Sequence, residues 1–243
     1  MTSPTRSTES YISAGSAAIS SLPPVHQQAE HSSIHGVLHL VERDHAQRTG
    51  LQQFIVDGFT RHYQAKVTEF MPHLLGVLLA GQWQAVLGIR FGTEGVLFTE
   101  QYLPQSAEQT LAQNDICCQR SDIAEIGQLY AQSRQALMQL FVLMIQALHQ
   151  LGVRQLLFSA TADLKRLLRR HGINLQEIVS ADPKCLGDKA NDWGSYYQSN
   201  PDVCVLSVNQ AAERVQEDVR LQQLIFRHWP QLHALVDTLK EAK

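Results

Sequence analysis

Arg120-Ser-Asp-Ile-Ala-Glu-Ile-Gly-Gln-Leu-Tyr-Ala131 is the stretch on which the fold of this chain turns. Its apolar residues form a strand, and the amphipathic stretch over residues 134–151 behind it is long enough for a helix that crosses a sheet. A second apolar strand follows over 155–160. Because a helix intervenes, that strand should run parallel to the first. Glu125 and Gly127 interrupt the first strand. A strand of this kind is buried on both faces, so a carboxylate there is costly unless it is paired or working. The position ahead of a crossover helix is also where α/β proteins hold ligands.

Upstream, residues 36–41 alternate and read as a strand. A helix over 45–65 follows, capped by Asp44, with Leu51, Phe54, Ile55, Phe59 and His62 on its inner stripe. Residues 73–80 and 84–91 are two strands joined by Gly81-Gln-Trp83, a connection of hairpin length. Gly92-Thr-Glu-Gly95 turns into a third strand over 96–103, and the short connections make this meander antiparallel. Residues 104–118 are polar and read as an excursion or a short helix. Downstream, a helix from Ala162 closes at Gly172, and 174–180 and 202–208 are late strands. The tail is helical, with Asn209 as its cap and Pro230 as a break or kink. The order predicts a single-domain α/β fold: a mixed sheet, flanking helices and a C-terminal helical tail. Residues 1–33, rich in Ser, Thr, Ala and Pro and without the apolar core of a secretion signal, are expected to be a flexible leader. Residues 34–208 form the domain and 209–243 the helical extension.

At 243 residues, 44% of them hydrophobic, the chain can bury one sizeable core. A net charge of −3 lacks the basic footprint of a nucleic-acid partner. No run reaches the roughly 20 apolar residues of a membrane span. The four cysteines lack paired metal-ligand spacing, so no metal is expected, and the adjacent Cys117 and Cys118 are poorly placed for a disulfide. A reducing, cytoplasmic setting is the simpler expectation.

The segments Arg61-His-Tyr-Gln-Ala65, Val86-Leu-Gly-Ile-Arg90, Phe98-Thr-Glu-Gln-Tyr-Leu103, Ile123-Ala-Glu-Ile-Gly127, Phe158-Ser-Ala-Thr161, Ala181-Asp-Pro183 and Trp193-Gly-Ser-Tyr-Tyr197 resemble the thermostable hemolysin family of bacteria. The element order in turn resembles the GCN5-related N-acetyltransferase (GNAT) fold, closest in outline to acyl-homoserine-lactone synthases and N-acyl amino acid synthases. The resemblance implies acyl transfer from an acyl-phosphopantetheine thioester, on an acyl-carrier protein or coenzyme A, to a small amine acceptor. Two departures matter. The stretch Tyr130-Ala-Gln-Ser-Arg-Gln-Ala136 has none of the glycines with which that fold usually wraps a pyrophosphate, which favours a carrier-bound donor over coenzyme A. Gln128 stands where the lactone synthases carry arginine, which argues against lactone synthesis.

Within that frame Glu125 is the candidate base, its pKa raised by apolar neighbours, with a salt-bridged carboxylate partnered by Arg90 or Arg120 as the alternative. Glu100 shares a face with Phe98 and Tyr102; in a neighbouring strand it would place a second catalytic carboxylate in the cleft. Tyr197 is the candidate acid for the leaving thiolate. Gly127, Gln128, Ser133 and Arg134 are expected on the pantetheine and its phosphate, the last two at a helix N-terminus. His62, Tyr63, Arg90, Tyr102, Trp193 and Tyr196 are expected around acceptor and acyl chain. Lys165, Arg166, Arg169 and Arg170 make a basic helix face suited to an acidic carrier protein or to anionic headgroups at a membrane surface, or else a solvated face. The competing expectation is a hemolysin-type protein that acts directly on bilayers through the amphipathic segment 211–239.

Overall fold

The computed structural model describes residues 36–243 together with the backbone of a two-residue strand, β1 (Ala18–Ile19). The expected leader otherwise lies outside the described residues. The remaining elements are β2 (Val37–Val41), α1 (Arg48–Tyr63), β3 (His73–Leu79), β4 (Gln82–Phe91), α2 (Ala107–Gln113), β5 (Ile123–Ala131), α3 (Arg134–Gln150), β6 (Gln155–Ala160), α4 (Ala162–Arg170), β7 (Gln176–Ser180), β8 (Asp202–Ser207), α5 (Val208–Gln216), α6 (Val219–Arg227) and α7 (Trp229–Lys240). The strand order is β2-β3-β4-β5-β6-β8-β7, with β1 beside β5. Among the described residues only β1–β5 and β5–β6 are parallel pairs, so the sheet is mixed, as the element order predicts.

All nine residues of β5 are buried, in keeping with a central strand covered on both faces. Helix α3 starts at Ser133, whose hydroxyl accepts the amide of Ala136. Residues 136 to 148 of α3 are buried all round, because the helix is sandwiched between the sheet and the C-terminal helices α5, α6 and α7. Leu232, Leu235, Val236 and Leu239 of α7 belong to the same apolar cluster as α3. On the opposite face α1 packs against Tyr130. A methyl group on Gly58 would come within 2.5 Å of that ring, so the close approach depends on glycine.

Several boundaries differ from the sequence expectations. The β3–β4 turn is Ala80–Gly81, both at positive φ, and not residues 81–83. Helix α1 begins at Arg48 without an Asp44 cap, because Arg48 turns inward and donates to the carbonyls of Val41, Met71 and Pro72. Ser207, not Asn209, caps α5. Pro230 sits in the first turn of α7, where its missing N–H costs nothing, so it separates two helices and does not kink one. The largest change is at residues 96–103: there is no strand, and Phe98–Tyr102 is a 3-10 turn. The amides a strand would offer a neighbour go to carboxylates instead. Leu97 N–H donates to Glu100, and the N–H groups of Phe98 and Thr99 donate to Glu125.

A buried charge cluster fastens the start of β3. His73 is 5% exposed; its Nδ1 meets both oxygens of Glu42 and its Nε2 meets Glu94, each at 2.9 Å. Burial alone would lower the imidazole pKa, but the two carboxylates overcome it and raise it to about 9.

Candidate active site

Strands β5 and β6 are hydrogen-bonded only over Ile123–Glu125 opposite Gln155–Leu157. Past Glu125 they part. The parting opens a cavity of about 180 Å³ floored by Glu125, Ile126, Gly127 and Gln128 of β5 and by Ser159 of β6. One wall is the loop 66–71, another the turn at Phe98 and Thr99 with Arg90, and the third is Leu186, Lys189, Asp192 and Trp193.

Each wall is tied in place. Gln128 has φ 54°, in the left-handed region, where β5 carries one residue more than β4: Gln128 and Leu129 lie opposite Leu87 alone. From this bulge its amide reaches across to the loop, donating to Glu69 O at 2.5 Å and accepting from Met71 N at 3.1 Å. Arg48 holds the loop's end through Met71 and Pro72. Lys66 N–H donates to Asp192 O at 2.6 Å, and Ser195 N–H to Tyr63 O at 2.8 Å, joining the loop to the 183–197 segment. Trp193 packs on Phe98, Phe59 and Tyr196 with ring centroids 5.6, 6.3 and 5.5 Å away.

Glu125 is 1% exposed and accepts from Phe98 N at 2.8 Å and Thr99 N at 2.6 Å. Desolvation raises its pKa against the pull of those amides, of Thr99 and of the Arg90 charge. Arg90 is its direct cross-strand partner, donates to Val96 O, and forms no ion pair closer than 4 Å with any described carboxylate. A buried carboxylate and a guanidinium therefore stand side by side in the cavity.

Of the residues singled out from sequence, Glu125, Gly127, Gln128, Arg90 and Trp193 line this cavity, and the others do not. Glu100 turns away: its carboxylate binds Arg120 and accepts from Leu97 N and Ala107 N, both at 2.7 Å. Burial pushes its carboxyl up, but Arg120 and the amides outweigh it and hold it below the ordinary carboxylate range. The hydroxyls of Tyr102 and Tyr197 bond each other at 2.7 Å beside the cavity, and burial raises Tyr197 to about 12. Tyr63, the last residue of α1, and Tyr196 are core residues of one apolar cluster, and His62 packs on Tyr130. Ser133 and Arg134 lie beyond the far end of β5, Ser133 engaged as a cap and Arg134 exposed. In the basic helix α4, Lys165 pairs with Asp202 and Glu177, Arg169 with Glu177 and Arg166 with Asp163, which leaves Arg170 with no acidic partner within 4 Å among the described residues. The cavity also draws in residues that sequence reasoning missed: the whole loop 66–71, Thr99, Lys189, Asp192 and Ser159. Ser159 alone carries a signal, as the one hydroxyl in Leu156-Leu-Phe-Ser-Ala160.

Among the described residues no group of three His, Cys, Asp or Glu side chains is arranged to hold a metal ion, and no helix is long and apolar enough to cross a membrane.

The thermostable hemolysin profile matches residues 41–212, which include strands β3 to β8 and every wall of the cavity. The chain belongs to the thermostable hemolysin family. No curated protein matches this hemolysin-family chain in sequence. Solved structures share its fold at low identity. The acyl-homoserine-lactone synthase LasI superposes with a TM-score of 0.53 at 12% identity, over 73% of this chain and 92% of LasI. BjaI, a CoA-dependent acyl-homoserine-lactone synthase solved with SAM and isopentyl-CoA, gives 0.54 at 13%, over 79% and 89%. FeeM, an N-acyl amino acid synthase from uncultured soil microbes, gives 0.53 at 12%, over 79% and 99%. The hemolysin-family domain thus has the fold of these synthases, as its element order predicts.

Proposed function

We propose that this protein transfers a fatty acyl group from a pantetheine thioester to the amine of a small acceptor. The observation that carries the reading is the parting of β5 and β6 immediately past the buried carboxylate of Glu125. A pantetheine arm carries two amides, and an unpaired strand edge is what such an arm can join as an added strand. Gly127 leaves the floor bare of a side chain, and Phe70, Met71, Phe98 and Trp193 supply an apolar surface for an acyl chain. Glu125 takes the proton of the attacking amine; its raised pKa brings it closer to the working pH. Arg90, its neighbour, suits an acceptor that bears a carboxylate close to the amine, which agrees with the amino acid products in the name of FeeM. On the donor side, a helix start without glycine and with Ser133 spent on capping favours a carrier protein over coenzyme A.

Incubation of the purified protein with acyl-carrier-protein or acyl-CoA thioesters and an amino acid pool should yield N-acyl products by mass spectrometry. Glu125→Gln should lower the rate about 10²- to 10⁴-fold with the fold retained. Folded wild-type protein that makes no product across chain lengths and acceptors refutes the proposal.

A second reading, contact with bilayers, is favoured by Phe226 and Trp229, which are 80% and 46% exposed on α6 and α7. It requires that protein freed of small amphiphiles release dye from liposomes, and that Phe226→Ser with Trp229→Ser abolish the release. Leakage only from the acylated product assigns any lysis to the amide.

A further inference from the structure

Ser159 is 4% exposed, lines the cavity, and its Oγ meets no hydrogen-bond partner among the described residues. A buried hydroxyl left unpaired is unfavourable by about 1–3 kcal/mol. Nothing in an apolar strand that reads Leu-Leu-Phe-Ser-Ala requires a hydroxyl, and the residue opposite on β8 is Val203. The unmet hydrogen bond therefore belongs to a hydroxyl set in the cavity lining and closed to water in the free protein.

Its place fixes what it can reach. Leu157 is the last β6 residue paired with β5, and its partner is Glu125. Ser159 lies two residues on, on the same face of the sheet as Leu157 and Glu125. It stands on one lip of the parting, with Gly127 and Gln128 on the other. Two donors in the lining already have other work: Arg90 stands beside Glu125, and the Gln128 amide is held by the 66–71 loop. The Tyr197 hydroxyl is bonded to Tyr102 outside the cavity, Lys66 and Lys189 stand exposed at the mouth, and Thr99 belongs to the turn that holds Glu125.

We propose that the Ser159 hydroxyl donates a hydrogen bond to the pantetheine sulfur as it leaves, an inference that rests on the acyl-transfer reading above. In that step the amine nitrogen bonds the carbonyl carbon, and the carbon–sulfur bond breaks with its electron pair kept by sulfur. The proton lost by the amine passes to Glu125. Serine keeps its own proton, because an alcohol is a far weaker acid than the thiol being formed, whose pKa is near that of cysteine at about 8.5. The thiolate is then protonated from Glu125 or from water. Serine supplies stabilisation of the developing negative charge, not a proton.

The test compares wild type with Ser159→Ala on two donors of one acyl chain: the dodecanoyl thioester of pantetheine and the dodecanoyl thioester of thiophenol, whose thiolate is the better leaving group. The expected loss in kcat is about tenfold to a hundredfold with the pantetheine donor and only a fewfold with the aryl donor, which needs little help. Ser159→Ala should also raise Tm in the absence of donor, because it removes an unsatisfied hydroxyl. Equal loss on both donors, or no loss, overturns the assignment. A fall in Tm overturns it too, by giving the hydroxyl a structural role. Wild-type protein inactive on both donors and on the dodecanoyl acyl-carrier-protein thioester instead overturns the acyl-transfer reading beneath it.

Discussion

His73 offers a measurement in which the sign and the size both follow from geometry. The two carboxylates bind the imidazolium, so the cluster stabilises the fold fully below the unfolded histidine pKa of about 6.5 and loses that contribution as pH rises through about 9. A shift of about 2.5 units at 1.36 kcal/mol each amounts to about 3 kcal/mol; the solvent-facing side of Glu42 trims this towards about 2. Urea denaturation of wild type and His73→Gln at pH 6, 7.5 and 10 measures it, with the difference between the two proteins at each pH cancelling other titrations. Wild type should be more stable than the variant by about 2–3 kcal/mol more at pH 6 than at pH 10. A difference that stays flat across this range would refute the reasoning, because it would mean that the imidazole is neutral in the fold.

Three further perturbations test the frame around the cavity. Glu100→Ala should cost about 3 kcal/mol in chemical denaturation, since it strips Arg120 of its least exposed partner and leaves two amides without an acceptor. Gln128→Ala should lose about 2 kcal/mol, one for each bond to the 66–71 loop, whereas Gln128→Gly should lose about half of that because glycine relieves the left-handed backbone; both should speed hydrogen exchange at Met71 N. Gly194→Ala should destabilise by about 2 kcal/mol or more, with a drop in Trp193 fluorescence order. Its methyl group would lie 2.0 Å from Tyr63 O at a φ of 53°.

The central unit is legible in the sequence because its signals are local: apolar period, crossover length, and the carboxylate at Glu125 within the strand. The parting of β5 from β6 is not, since it depends on where pairing stops. Neither is the bulge, because glutamine at positive φ has no sequence signature and Gln128 is held there by atoms of the 69–71 loop. Residues 96–103 mislead for a specific reason. Phe98, Glu100 and Tyr102 alternate as in a strand, yet the backbone there serves two carboxylates. Tyr197 and Tyr102 are bonded across 95 positions, a pairing that no spacing announces.

The burial of α3 on every side bears on any lytic activity of this family. For α7 to leave the body of the protein, Leu232, Leu235, Val236 and Leu239 would all have to enter water. At about 2 kcal/mol each this approaches 8 kcal/mol, the scale of an entire domain's stability. Detachment of that segment would therefore be indistinguishable from denaturation.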